Sequence, residues 1–188
     1  MSPLDAVIAA STSFGRAVLE IADDDWDRPT PCADWNVRAL VAHVVVGDAA
    51  TASIVRGEAG AAVDDVDASI LGTDARAVWR GTALGMLNTL RDETDLERVG
   101  DHPAGQRSIA EIIGFRTWDL AVHAWDLHMA LDRDFVIDSE VAEYVIAFAV
   151  PFADRIAESG QFGPGMVDPG PDASAGERLL ALSGRGRT

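Results

Sequence analysis

The 188-residue chain has no lysine; all fifteen of its basic residues are arginine. That usage fits a GC-rich genome better than any mechanism. Against them stand 31 Asp and Glu residues, for a formal net charge of −16. A surface of that sign repels phosphate backbones, which argues against nucleic acid as a partner. There is one cysteine, Cys32, so an intrachain disulfide is excluded and a reducing cytoplasm is expected. No run approaches the ~20 apolar residues of a membrane span. The start, Met-Ser-Pro-Leu-Asp, lacks the basic segment and apolar run of a signal peptide. The chain also lacks a phosphate-cradling glycine loop, an H-E-x-x-H pair, a paired-cysteine knuckle and a G-x-S-x-G elbow.

What is present favours helix. Apolar residues make up 48% of the chain, chiefly Ala, Val and Leu, with 24% charged. Ser2 and Pro3 open a first helix, Leu4 to Ala22, with Val7, Ile8, Phe14, Val18 and Ile21 at helical spacing. Residues 26–36 hold two prolines and two tryptophans and read as an ordered loop. Asn36 caps a second helix, Val37 to about Arg56, whose inward stripe is Leu40, His43, Val44 and Gly47. Residues 57–69 read as a mobile connection. A third helix, Asp74 to Asp92, carries Val78, Trp79, Leu84, Leu87 and Leu90. Thr94 to Gln106 reads as a loop, and no strand stands out. Ser108 and Glu111 form a capping box for a fourth helix, Ile109 to Leu131. A fifth runs from Asp138 to about Glu158, kinked or broken at Pro151. A Gly/Pro-rich tail ends in a short helix, Ala175 to Leu182. The expected architecture is an all-α four-helix bundle with an added fifth helix and an extended tail. It forms a single domain over 1–188, with the bundle at 2–158 and the tail at 159–188.

Chemistry concentrates on the fourth helix. Asp119 and His123 lie four residues apart among apolar neighbours, so both project from one inward face. His43 holds a similar position on the second helix. Two histidines and one carboxylate from two helices can hold a divalent metal and leave positions open. Zn2+ suits such a site, as do Fe2+, Ni2+ and Mn2+. The alternative is a buried ion-pair cluster, with Arg116 or the imidazolium of His123 as partner of Asp119. His43 taken alone, on an apolar face, reads more readily as a satisfied core residue. Asp126, three residues after His123, shares the stripe and could orient a metal-bound imidazole or water, or be satisfied by the Trp35 indole. His128 falls off the stripe and is expected exposed. His102, in a loop, is not expected at the site, and Cys32 is read as a buried structural thiol. Trp118 and Trp125 flank the pair, as pocket walls or simply as packed rings.

The segment TPCADWNVRALVAH, Thr30 to His43, resembles the amino-terminal signature of the mycothiol-dependent maleylpyruvate isomerase family, within the DinB-like group of metal-binding four-helix bundles. DLAVHAWDL, Asp119 to Leu127, resembles that family's second signature, and the tail, Phe162-Gly-Pro through Arg178 to Arg185, resembles a short actinobacterial subgroup. The resemblance implies that His43 and His123 are the two metal histidines, that Asp119 stands where the isomerase has Glu, and that Asp126 is the acidic residue serving the active site. Zinc is the family's usual metal, with an open position for a thiol or water. The resemblance also implies a departure: the isomerase has a separate carboxy-terminal domain contributing to its active site, and this chain is expected to end without it.

Two functions follow as expectations. One is a metal- and thiol-dependent transferase or isomerase-like enzyme, in which mycothiol attacks a small electrophile and Asp126 carries or orients a proton. The other is a non-catalytic metal-binding or stress-related module. Partners are a small-molecule substrate or thiol, not nucleic acid or membrane. A homodimer through helix faces is compatible with either.

Overall fold

Each long helix starts on a side chain that accepts the backbone hydrogens its first turn leaves free, an arrangement contributing about 1 kcal/mol per cap. The computed structural model describes residues 1–33, 35–58, 66–103, 105–152 and 168–185. Helix α1, Pro3–Glu20, opens on Ser2, whose Oγ accepts from the Asp5 amide. Helix α2, Val37–Val55, opens on Asn36. A 3-10 turn, Ala68–Leu71, precedes α3, Ala75–Asp92, which is capped by Asp74. Helix α4, Ile109–Ala130, starts at the expected capping box of Ser108 and Glu111. Asp138 caps α5, Ser139–Ala149, and a second capping box, Ser174 with Glu177, starts α6, Ala175–Leu182.

The first four helices close into a ring. Helix α4 packs against both α1 and α2, α2 against α3, and α3 back against α1. Helix α5 lies on α4 and α1, and α6 lies on α5. Phe14, Leu40, Met86, Ile113, Trp118 and Leu120 are fully enclosed in the common core. Trp118 is no pocket wall. Its Nε1 donates to Ser183 Oγ at 2.8 Å, and that hydroxyl donates on to Leu179 O at 2.8 Å, so the central helix is bonded to the last one.

Several expectations are corrected. The segment read as a loop contains an antiparallel hairpin, β1 Val99–His102 with β2 Gly105–Ser108. Gly105 has φ 95°, a conformation open to glycine, at the hairpin's turn. The break expected at Pro151 is present: α5 ends at Ala149, and the proline sits in a 3-10 turn, Val150–Phe152. The helix's expected continuation to Glu158, the tail through residue 167 and most of the expected mobile connection lie outside the described residues. On α3 the inward face is Trp79, Ala83, Met86, Leu87 and Leu90, while Leu84 is 53% exposed. His128, expected outside, is buried; it stacks on Phe135 with ring centroids 4.1 Å apart and its Nδ1 lies 2.7 Å from Ala124 O. Helix α2 is long and apolar enough to cross a membrane, yet it is mostly buried inside the bundle.

Candidate functional site

The site forms where α2, α4 and the α1–α2 loop converge. The Asn36 cap sets the start of α2 and so places His43 two turns in, while the Ser108 box sets the phase of α4. The loop is tied by its own backbone: Thr30 N donates to Trp35 O at 3.1 Å and Val37 N to Arg28 O at 2.9 Å. Thr30 Oγ1 accepts from Cys32 N and donates to Trp35 O. The loop thereby presents Cys32 and Trp35 to the two helices, with the Trp35 ring 4.6 Å from that of His43 and 5.8 Å from that of His123.

One carboxylate oxygen is the focus. Asp119 Oδ1 lies 3.2 Å from His43 Nε2 and 3.3 Å from His123 Nε2. The three donor atoms all lie within 4.8 Å of one another, in one of two such groups among the described residues. Ligands held at ~2.0–2.1 Å around a tetrahedral ion stand ~3.3 Å apart, so the spacing fits a divalent metal. The other oxygen, Asp119 Oδ2, accepts from Arg116 Nη1 at 2.5 Å. The expected alternatives therefore coexist: Arg116 pairs with one oxygen and both imidazoles face the other. Behind His123, its Nδ1 lies 2.9 Å from Asp126 Oδ2. A proton on Nδ1 given to Asp126 leaves the Nε2 lone pair turned toward Asp119 Oδ1, and two lone pairs facing each other require a proton or a metal ion between them.

Burial works against the Asp119 charge, but His123, His43 and Arg116 together hold its carboxyl well below the usual carboxylate range. Burial would likewise lower His123; Asp119, Asp126 and the Cys32 contact outweigh it and raise the imidazole well above its ordinary value. Asp126, with no exposed surface, resists burial through His123 and Arg185 and is held low. Arg185 donates to Asp126 Oδ2 at 2.9 Å and lies 3.2 Å from Cys32 Sγ. Cys32 is half-buried, with its Sγ 3.0 Å from Asp126 Oδ2 and 3.7 Å from His123 Nδ1. It is thus part of this cluster and not a remote structural thiol. The basic residues near it in sequence go elsewhere: Arg28 pairs with Asp25 and Asp132, and Arg38 lies over the Trp26 ring.

The profile of the mycothiol maleylpyruvate isomerase N-terminal domain matches residues 7–128. The chain belongs to this family. Two uncharacterized proteins from strains of Mycobacterium tuberculosis are each 29% identical over 191 residues, covering 98% of this chain and 98% of their own. The crystal structure of the mycothiol-dependent maleylpyruvate isomerase superposes with a TM-score of 0.73 at 15% identity, and that of a mutant of it with 0.73 at 12%. Each superposition covers 98% of this chain and 88% of the isomerase. Most of the isomerase's length is therefore spanned, which does not support the expectation that a whole second domain lacks a counterpart here.

For this family member the structure brings together His43, Asp119, His123 and Asp126, all named from sequence. His102 stands apart, stacked on Phe115 at 5.0 Å in the β-hairpin. Sequence reasoning missed Arg185 and Asp48. Nothing local marks Arg185, which follows Asp126 by 59 residues. Asp48 did carry a signal: a carboxylate on the inward stripe of α2, beside Gly47, within the apolar run VVVGDAA.

Proposed function

We propose that the protein binds one divalent metal ion, zinc first among the choices, through His43 Nε2, Asp119 Oδ1 and His123 Nε2, and uses it with a low-molecular-weight thiol on a small electrophile. The carrying observation is the convergence of both imidazoles on one carboxylate oxygen at 3.2 and 3.3 Å. Family membership supports mycothiol as the thiol, because the solved isomerases of this fold are mycothiol-dependent. A bound zinc ion would lower the pKa of a thiol or water placed on it.

The chain's own residues do the rest. Asp126 accepts the Nδ1 proton of His123 and so fixes the tautomer that offers Nε2. Arg185 neutralises Asp126 and keeps that carboxylate ionised, able to receive a proton at Oδ2. Trp35 covers His43 and His123 and limits water at that edge. A reducing cytoplasm suits both a free Cys32 and a thiol co-substrate.

The test is metal content by mass spectrometry on protein purified without a polyhistidine tag, beside His43→Ala and Asp119→Ala. About one zinc per chain in the wild type, lost in both variants, is expected. Thiol conjugation to an electrophile should then be chelator-sensitive and absent in His43→Ala. A wild type that neither carries nor takes up metal reduces the cluster to an ion pair. Metal bound without thiol turnover would leave a non-catalytic module.

A further inference from the structure

Arg116 has no part in the roles above, yet it is the best-anchored side chain beside the site. Its guanidinium is 5% exposed and makes contacts on three sides. Nε donates to Asp48 Oδ1 at 2.9 Å, Nη2 to Val44 O at 2.8 Å, and Nη1 to Asp119 Oδ2 at 2.5 Å. It occupies a notch at Gly47, where any Cβ would overlap the guanidinium. Asp48 is wholly buried, and its Oδ2 has no hydrogen-bond partner among the described residues. A buried carboxylate left half-satisfied in this way acts as a dedicated counter-ion, holding the guanidinium against the bundle wall.

The two oxygens of Asp119 are thereby given different work. A free carboxylate can bind a cation through one oxygen or two. Here Oδ2 is committed to Arg116 and only Oδ1 faces the histidines. We propose that Arg116, seated by Gly47 and Asp48, is a positioning residue that makes Asp119 a one-oxygen ligand. The protein's share of the coordination sphere is then three atoms, and the remaining positions stay open for an exchangeable ligand. The inference rests on the metal reading above and goes beyond it by assigning what keeps the site open. It also gives the shorter Asp119 side chain a fixed direction, which a carboxylate on a single helix turn would otherwise lack.

The test uses Co2+ as the probe in the full-length protein. Wild type is compared with the double variant Asp48→Asn/Arg116→Gln, which removes both charges together and leaves no buried ion unpaired, and with Arg116→Lys. Lysine keeps a charge beside Asp48 but offers a single point of contact in place of the guanidinium fork. Wild type should give the intense visible absorption of four-coordinate cobalt. Both variants should give a weaker band as Asp119 Oδ2 joins the metal, with affinity against a competing chelator lowered about 10–100-fold, as for other residues that orient a ligand. Circular dichroism checks folding, and if the double variant fails to fold, the Arg116→Lys spectrum decides. A purely structural Arg116 would leave the cobalt spectrum of the folded variants unchanged, and that result overturns the proposal. A wild type that takes up no cobalt overturns the metal reading itself, and this inference with it, which is a separable outcome.

Discussion

Replacing Gly47 with alanine sets two physical rules against each other. Helix propensity says the change stabilises, by about 1 kcal/mol for a glycine in a helix interior. The structure says the reverse, because the new methyl would occupy the place of the Arg116 guanidinium. Arg116 would have to leave Asp48, which has no exposed surface and whose other oxygen has no partner among the described residues. Removing one partner of a buried ion pair costs about 3–5 kcal/mol. The net expectation is a loss of about 2–4 kcal/mol. For a chain of this size each kcal/mol moves Tm by about 2–4 °C, so Tm should fall by about 4–16 °C. Calorimetry or circular dichroism on metal-free protein reads it directly. The control is the same substitution in the Asp48→Asn/Arg116→Gln background, where the notch is vacated and Gly47→Ala should become stabilising. That change of sign is a coupling between contacting residues, which additive effects would not produce. A Gly47→Ala protein as stable as wild type, or more so, would refute the account of the notch and of the pair it serves.

Further expectations can be checked with the same preparations. His123 is raised above its ordinary 6.5 in the folded protein, so its contribution to metal-free stability is full below about pH 6.5 and is lost as pH climbs through the raised value. Tm of the metal-free protein should fall across that window, and a Tm that rises there would contradict the assignment. Zinc uptake must displace the same proton, so binding in weak buffer near pH 7 should release about one proton per zinc. Asp126→Asn, which removes one of the groups raising His123, should release less. On α3, Leu84→Ser should change stability by no more than about 0.5 kcal/mol, whereas Leu87→Ala should cost about 2–5 kcal/mol; equal effects in urea melts would mean that the inward face is misassigned. Trp118→Phe removes the donor to Ser183 and leaves space in the core, at a cost of about 1–3 kcal/mol, and a neutral substitution would show that the α4–α6 tie carries no stability.

The helices were legible because their starts are chemical: Ser2, Asn36, Ser108 and Asp138 all open helices as their spacing implies. The grouping of His43, Asp119 and His123 was legible for a related reason. Helix periodicity alone puts Asp119 and His123 on one face, and His43 stands on the apolar stripe of a neighbouring helix. The hairpin was not legible. Its strands are four residues each, none of them buried, and VGDH and GQRS carry no apolar and polar alternation to read. His128 was misplaced because the stripe argument ignores what comes next, and Phe135 in the following loop supplies the ring that covers it. On α3 the apolar residues alone did not single out the inward face: Leu84 is exposed, and the smaller Ala83 and Met86 complete that face. Arg185 was beyond reach because its partners, Cys32 and Asp126, are fixed only by the closure of the whole bundle.

That last contact has a consequence for how the protein is made. Cys32 is synthesised early and Arg185 follows it by 153 residues. A ribosome-bound chain that has already emerged through α4 holds His43, His123, Asp119 and Asp126, yet still lacks the cation that quiets Asp126 and sits on the thiol. A product clipped just before Ser183 would likewise have lost it. The segment just after α6 therefore sets the chemistry of a single sulfur: until Arg185 has been made and docked, Cys32 and Asp126 lack their cation.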